Sequence, residues 1–253
     1  MTSELELTHT VRRGDAGVDV KRAQEWLSLR GHGVQLDGAF GPATEVAVRA
    51  FQREIGVAPD GIVTQGLFQQ LNAPLRAALE PIAMTPSAQL GEALVAYAAQ
   101  HQRQQAREVG GNNRGPWVRL YMDGHDGAQW RWCAGFLTFC LQQACRTLNQ
   151  PLPLPRTLSC DLLAASARQH GLFVSGEQLG GRRLEPGDLF LNRRVVGDWV
   201  HTGIITAVQE DTFSTIEGNT DDGGSRDGNE VAKRTRSFVG RDFILLSGLS
   251  NVG

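Results

Sequence analysis

The chain has 253 residues, of which 41% are apolar and 21% charged, and these are the proportions of ordinary globular proteins. This length can bury at least one large core and favours two domains. The formal net charge of −2 gives no basic surface for nucleic acid or for an anionic membrane, so we expect neither as a partner.

The N-terminal residues and the cysteines argue against further classes of protein. MTSELELTHTVRRGD lacks the apolar segment of a secretory signal peptide, so we expect synthesis without one. No apolar run has the length of a membrane-spanning helix. The four cysteines have no C-x-x-C spacing and are too few for a disulfide framework, which argues against both a zinc site and a disulfide scaffold.

Residues 10–72 have the pattern of a small domain of three helices. Asp19 is the predicted cap of the first helix, and Pro42 is predicted to start the second, with Thr44 as its cap. The segments LDGAFGPATEVAVRAF and APDGIVTQGLF each place an Asp-Gly pair before an apolar residue, a turn and a helix. The sequence therefore predicts an internal repeat.

This repeated pattern resembles the small peptidoglycan-binding domain found at the ends of many cell-wall hydrolases. The residues that carry the resemblance are Asp37-Gly38, Phe40-Gly41-Pro42, Thr44, Ala47-Val48, Phe51-Gln52 and Asp60-Gly61. The resemblance implies peptidoglycan as a partner and makes Asp37, Phe40 and Asp60 candidate wall-binding residues. Most residues of the motif would nevertheless be structural.

Residues 73–88 contain three prolines and read as a linker, and residues 89–247 as a larger α+β domain. Helices are predicted for GEALVAYAAQHQRQQAREVG, for the segment from Cys133 and for LSCDLLAASARQHG, with a polar loop GNNRGPWVRLYMDGHDGAQ between the first two. The remainder predicts antiparallel strands: LEPGDLFLN, DWVHTGIITAV, DTFSTIEGN, EVAKRTRSF and RDFILLS.

Cys133 lies in the predicted first turn of a helix, where a thiolate is favoured. A cysteine nucleophile also needs a base and a group that orients the base. His201 begins the strand HTGIITAV, and Gly203 allows a close approach there. Glu217 and Asn219 lie on one face of the next strand, so that either could accept the imidazole N–H.

The segments RWCAGF, VHTGII and IEGNT, in this order, resemble a CHAP domain, a papain-like cysteine amidohydrolase/peptidase of peptidoglycan. The resemblance implies a papain-like fold of helices and antiparallel sheet. It makes Cys133 the nucleophile, His201 the base, Glu217 the orienting carboxylate and Asn219 a supporting polar group. One departure is Val200-His201-Thr202-Gly203, where many relatives have glycine before the histidine and an apolar residue after it.

Two further residues near the nucleophile are candidates. Gln129 is a candidate donor to an oxyanion, although its spacing from Cys133 does not match the family pattern. Trp132 could line a substrate cleft or pack the entry to the helix. Two acidic clusters, Asp123, His125 and Asp126, and then Asp221, Asp222 and Asp227, read as turns, so we expect no metal and no cofactor.

The predicted function is hydrolysis of an amide bond in peptidoglycan, as an N-acetylmuramoyl-L-alanine amidase or as an endopeptidase of the stem or cross-bridge. A phage lysin released through membrane holes and an effector delivered by a secretion apparatus both fit, and an effector would add an immunity protein or a secretion component as partner. The alternatives are a non-catalytic wall-binding protein and a cysteine acyltransferase on the same fold.

Overall fold

The computed structural model describes residues 4–180, 182–220 and 228–248. The chain forms two compact units. The first contains residues up to Leu79 together with Arg107–Ala128, and the second contains Glu80–Ala106 together with the chain from Gln129 onward. In the described residues, no helix combines the length and the apolar character needed to cross a membrane.

The first unit is helical. Its elements are α1 (Val18–Leu29), α2 (Pro42–Glu54), α3 (Gln65–Leu71), α4 (Ala73–Leu79) and α6 (Pro116–Tyr121). Large apolar side chains from these helices are fully buried, and the indole rings of Trp26 and Trp117 meet edge to face at 6.0 Å. The predicted three helices are α1 to α3.

The two Asp-Gly turns of this unit are held in the same way. The side-chain amide of Gln24 donates to the carboxylate of Asp37 at 2.9 Å and accepts from the backbone N–H of the next residue at 2.8 Å. Gln52 repeats both bonds at Asp60, at 2.6 and 2.9 Å. Both glycines have positive φ, 73° and 78°, a conformation that favours glycine. The repeat is therefore a turn clamped by a helical glutamine.

The two predicted helix caps are wrong. Helix α1 has Gly17 as its N-cap, and the carboxylate of Asp19 instead accepts the backbone N–H of Thr8 at 2.8 Å. Helix α2 has Gly41 as its N-cap, while Thr44 is buried and accepts a hydrogen bond from Gln24. Both side chains bind residues distant in sequence, so the local capping pattern does not apply.

The segment Arg107–Ala128 differs most from the sequence prediction. The sequence predicts a polar loop at residues 111–129, but α6 lies within it, and the segment belongs to the first unit rather than to the domain predicted at 89–247. The guanidinium of Arg119 donates to Glu4 at 2.7 Å, to Glu25 at 2.6 Å and to Asp126 at 2.9 Å. The predicted linker 73–88 likewise begins with α4. These long-range ion pairs leave no periodic signal in the sequence.

Replacing Arg119 by methionine is expected to lower the free energy of unfolding by about 3 kcal/mol or more, because Glu25 would remain buried without this cation and Glu4 would keep only Arg22, at 4.0 Å. Denaturant unfolding of the full chain measures this change. Arg13→Met is the control, since the Arg13 side chain is 63% exposed in its pair with Glu45 and should cost at most about 1 kcal/mol. Equal losses for the two variants would contradict the anchoring role of Arg119.

In its described residues, the second unit packs three α-helices on one antiparallel sheet. The helices are α5 (Leu90–Arg103), α7 (Cys133–Thr147) and α8 (Cys160–Gln169). The strands are β1 (Phe173–Val174), β2 (Leu189–Val195), β3 (Asp198–Val208), β4 (Thr212–Thr220), β5 (Glu230–Ser237) and β6 (Arg241–Ile244). Their order in the sheet is β1-β6-β2-β3-β4-β5. The prediction of helices followed by antiparallel strands is confirmed.

A cluster of buried apolar side chains stabilises this sheet. It consists of Leu184, Phe190, Ile205, Phe213 and Phe243. Strand β3 pairs with β4 through the short turn between them, with Ile204 opposite Ile216. This pairing brings the first half of β3 and the second half of β4 to the same end of the sheet, beside the N-terminal end of α7.

Candidate active site

Cys133 is the first residue of α7, and its side chain is only 3% exposed. The backbone N–H groups in the first turn of a helix have no partner within the helix, and the helix dipole adds a positive potential there. The helix that begins at Cys133 is apolar and is buried along most of its length. The location expected for Cys133 is therefore the one observed.

A second cysteine lies against the first. Cys160 is the first residue of α8, and its Sγ is 3.7 Å from the Sγ of Cys133. The hydrogen bond from Cys160 is the largest of the effects that set the pKa of Cys133 well below its usual range, and His201 lowers it further against the opposing effect of burial. The same contact raises the pKa of Cys160 well above its usual range, so this thiol remains the donor.

The contact of Cys160 with Cys133 has no signal in the sequence. The two residues are 27 positions apart and belong to different helices, so no spacing rule connects them. The other two cysteines, Cys140 and Cys145, are buried side chains of α7. Burial raises the pKa of Cys145 to about 11, and burial raises that of Cys140 further.

His201 lies on β3 with 1% of its surface exposed. Its Nε2 is 2.7 Å from Oε2 of Glu217. Among the described residues, its Nδ1 has no partner at ordinary hydrogen-bond geometry, although the Cys133 sulfur is close enough to act on the ring. Burial alone would lower the pKa of His201, but the interactions with Cys133 and Glu217 outweigh burial and raise that pKa to about 9. The imidazolium is therefore favoured beside a thiolate.

The Glu217 carboxylate on β4 is fully buried. Burial would raise its pKa, but hydrogen bonds from Arg236 and His201 outweigh this effect and lower the pKa to about 2. The carboxylate is therefore ionised at neutral pH. As an acceptor of the Nε2 proton, it holds the ring with Nδ1 directed away from itself.

Two glycines, Gly203 and Gly218, allow α7, β3 and β4 to pack closely at the site. A Cβ at Gly203 would lie 2.6 Å from Cγ of Glu217 and 2.8 Å from Cε1 of Phe190. A Cβ at Gly218 would lie 2.7 Å from Cβ of Phe136, a residue of α7. Gly218 thus lets α7 pack directly on β4, and Gly203 leaves the space that Glu217 crosses to reach His201. The close approach predicted at Gly203 is that of the Glu217 and Phe190 side chains.

The remaining candidates near Cys133 take different positions. Asn219 is fully buried, has φ of +56° and lies where the pairing of β4 with β5 is irregular. Trp132 is the N-cap residue of α7 and is fully buried, which favours its packing alternative. Gln129 is exposed in the turn before α7. Of the predicted polar residues, Glu217 is the one that accepts from His201.

The three candidate wall-binding residues have structural contacts in the first unit. Asp37 and Asp60 accept the glutamine side chains that clamp their turns, and Phe40 is only 2% exposed. The same unit has an open groove of about 430 Å³ between the end of α1 and the start of α2, lined by residues 32–34, 42–43 and 46–47. Val46 in this groove is 66% exposed.

In the part of the chain that the structure describes, no group of three or more His, Cys, Asp or Glu side chains could hold a metal ion. The acidic cluster of Asp221, Asp222 and Asp227 lies outside the described residues. The grouped side chains are instead a thiol, an imidazole and a carboxylate, which together can perform nucleophilic catalysis on an acyl carbon.

Comparison with known proteins identifies one segment. Residues 16–71 match the family described as "Putative peptidoglycan binding domain". No curated protein sequence matches the chain. Among solved structures, the chain is similar to the endolysin of Burkholderia AP3 phage, with 28% identity and a TM-score of 0.25. The match covers 42% of this chain and 41% of the endolysin, so it spans less than half of the endolysin's length.

Proposed function

We propose that the protein is a peptidoglycan hydrolase that cleaves an amide bond with Cys133 as nucleophile. The observation that carries the proposal is the line of buried groups from the Cys133 thiol through His201 to the Glu217 carboxylate. The family match of residues 16–71 supports peptidoglycan as the substrate. The bond is the muramoyl–L-alanine amide or a peptide bond of the stem or cross-bridge.

The mechanism follows from the protonation states of these groups. The Cys133 thiolate attacks the carbonyl carbon, and unpaired backbone N–H groups at the start of α7 stabilise the negative charge that develops on the oxygen. His201 then donates its proton to the leaving amine as the C–N bond breaks, which leaves an acyl-enzyme. Water, losing a proton to His201, attacks this thioester and releases the acid and the free thiol. No cofactor enters these steps.

The first unit would hold the enzyme on the wall and raise its effective concentration there. The groove at residues 32–34, 42–43 and 46–47 supports this role better than Asp37, Phe40 and Asp60, whose contacts are internal. The site of action would be the bacterial cell wall.

Purified peptidoglycan sacculi test the proposal. Wild-type protein is expected to release soluble fragments, and mass spectrometry of the fragments identifies the bond that is cut, while Cys133→Ala releases none. Release that stops in a chelator would contradict the thiol mechanism. Wall binding by both proteins without release would favour a non-catalytic binding protein. An added amine acceptor that appears in the products would indicate an acyltransferase.

Gly203→Ala is expected to reduce kcat/KM by about tenfold or more, although position 203 makes no contact with substrate in the proposed mechanism. The added methyl group would overlap Glu217 and Phe190, and a displaced carboxylate no longer orients the imidazole. Fragment release measures the effect. Gly248→Ala is the control, because no atom lies within 4 Å of the Cβ it would add. Unchanged activity of Gly203→Ala would contradict the orienting role of Glu217.

A further inference from the structure

The Glu217 carboxylate has a complete set of hydrogen-bond donors. Oε1 accepts the hydroxyl of Thr215 at 2.6 Å and Nε–H of Arg236 at 2.8 Å. Oε2 accepts Nη2–H of Arg236 at 2.6 Å and the ring of His201 at 2.7 Å. A carboxylate has about four lone-pair directions, so these bonds use its whole capacity. Two of the four come from one guanidinium.

Arg236 lies on β5, the strand that pairs with β4, with Phe213 as its opposite residue. Its side chain is 15% exposed, and its guanidinium carbon lies 6.0 Å from the centre of the Phe190 ring. Both donors reach the carboxylate as a fork, which is the geometry that arginine forms and lysine does not. The carboxylate is therefore held in one orientation by a guanidinium that donates to both of its oxygens.

The charges at this site explain why such a fork is needed. A bare carboxylate buried beside a thiolate would place two negative charges around one imidazolium. It would also hold the imidazolium proton more tightly than the proposed mechanism requires, since His201 must release that proton to the leaving amine. A guanidinium bonded to the carboxylate offsets the second negative charge.

We propose that Arg236 is a positioning residue of the site, which fixes the orientation of Glu217 and offsets its charge so that His201 can both hold and release a proton. The catalytic part of this inference rests on the proposed function, whereas its electrostatic part concerns the ring of His201 alone. The charged or titratable groups that act on this ring or on its carboxylate partner are Cys133 from α7, Glu217 from β4, Arg236 from β5 and Arg241 from β6. Cys160 from α8 lies against Cys133.

Replacing Arg236 by glutamine is expected to raise the pKa of the His201 imidazole by about one unit or more. The sign follows from removing a cation near the imidazolium while its carboxylate partner keeps a negative charge. NMR titration of the imidazole measures this shift without any substrate, and the His201 signal is assigned from its absence in His201→Gln. Arg236→Lys keeps the charge and is expected to stay within a few tenths of a unit.

In fragment release, Arg236→Gln is expected to reduce kcat/KM by about 10- to 100-fold, with partial recovery in Arg236→Lys. If Arg236 acts through Glu217, its loss should cost no more than about twofold in a Glu217→Gln background. An unchanged imidazole pKa in folded Arg236→Gln overturns the inference, and so does an equal loss in both backgrounds. If Arg236→Gln does not fold, an imidazole pKa shifted by a full unit in Arg236→Lys overturns it.

The two measurements keep this inference separate from the proposed function. If wild-type protein releases no fragments from sacculi, the hydrolase proposal fails, but the titration still decides whether Arg236 controls the imidazole. If fragments are released and the titration of Arg236→Gln matches wild type, the hydrolase proposal stands and the role of Arg236 is refuted.

Discussion

Cys133→Ser is expected to lose fragment release from sacculi by about 10³-fold or more while keeping the fold. Serine is close to cysteine in size, so the packing at the start of α7 changes little. The hydroxyl, however, has a far higher pKa than the thiol, and neither the helix dipole nor the contact with Cys160 can ionise it at neutral pH. The same geometry therefore lacks its nucleophile.

Cys145→Ala is the matched control for this variant. Cys145 lies near the C-terminal end of the same helix, is buried, and has a pKa raised to about 11 by burial. Its substitution should reduce stability slightly and leave the rate of release within about twofold of wild type. Thermal unfolding of both variants separates loss of fold from loss of chemistry. Wild-type rates in Cys133→Ser would show that the thiol is not the nucleophile.

The strands and the positions of the site residues could be predicted because their signals are local. Short runs rich in β-branched and aromatic residues, split by turn residues, give β3 and β4, and the first turn of an apolar helix gives the position of Cys133. The pairing of β3 with β4 then follows from the short turn between them. These steps need only neighbouring residues.

The parts that could not be predicted depend on contacts between distant residues. Arg119 draws residues 107–128 into the first unit through carboxylates more than 90 positions away, and no periodicity marks this. Cys160 meets Cys133 because two helices begin at the same place. Arg236 belongs to a strand rich in basic residues, where the alternation shows which face it lies on but not that its partner is Glu217.

His201→Gln is expected to lose about 10³-fold or more in kcat/KM, because the leaving amine has no proton donor and the thiol no base. Glutamine keeps a polar side chain of similar reach that can still donate to Glu217. His170→Gln is the control, since His170 is an exposed residue at the C-terminal end of α8. Equal activities of the two variants would rule out His201 as the acid and base.

The dependence of the rate on pH gives an independent test of His201. Attack needs the Cys133 thiolate and departure of the amine needs the imidazolium, so both forms must be present. The thiolate forms at low pH because the pKa of Cys133 is held well below its usual range, first by Cys160 and also by His201. The imidazolium is lost as the pH rises through about 9, the raised pKa of His201. Wild-type kcat/KM should therefore fall above pH 9.

His201→Gln and Cys160→Ala should change the dependence of the rate on pH in different ways. In His201→Gln the residual rate should no longer fall near pH 9, and alkylation of Cys133, followed by mass spectrometry, should show its pKa raised by loss of the imidazolium. That pKa should stay below the value of a free thiol, because Cys160 still donates to the sulfur. In Cys160→Ala the pKa of Cys133 measured by alkylation should rise, while the fall of kcat/KM near pH 9 remains. A fall near pH 9 that persists in His201→Gln would assign it to another group and remove His201 from the mechanism.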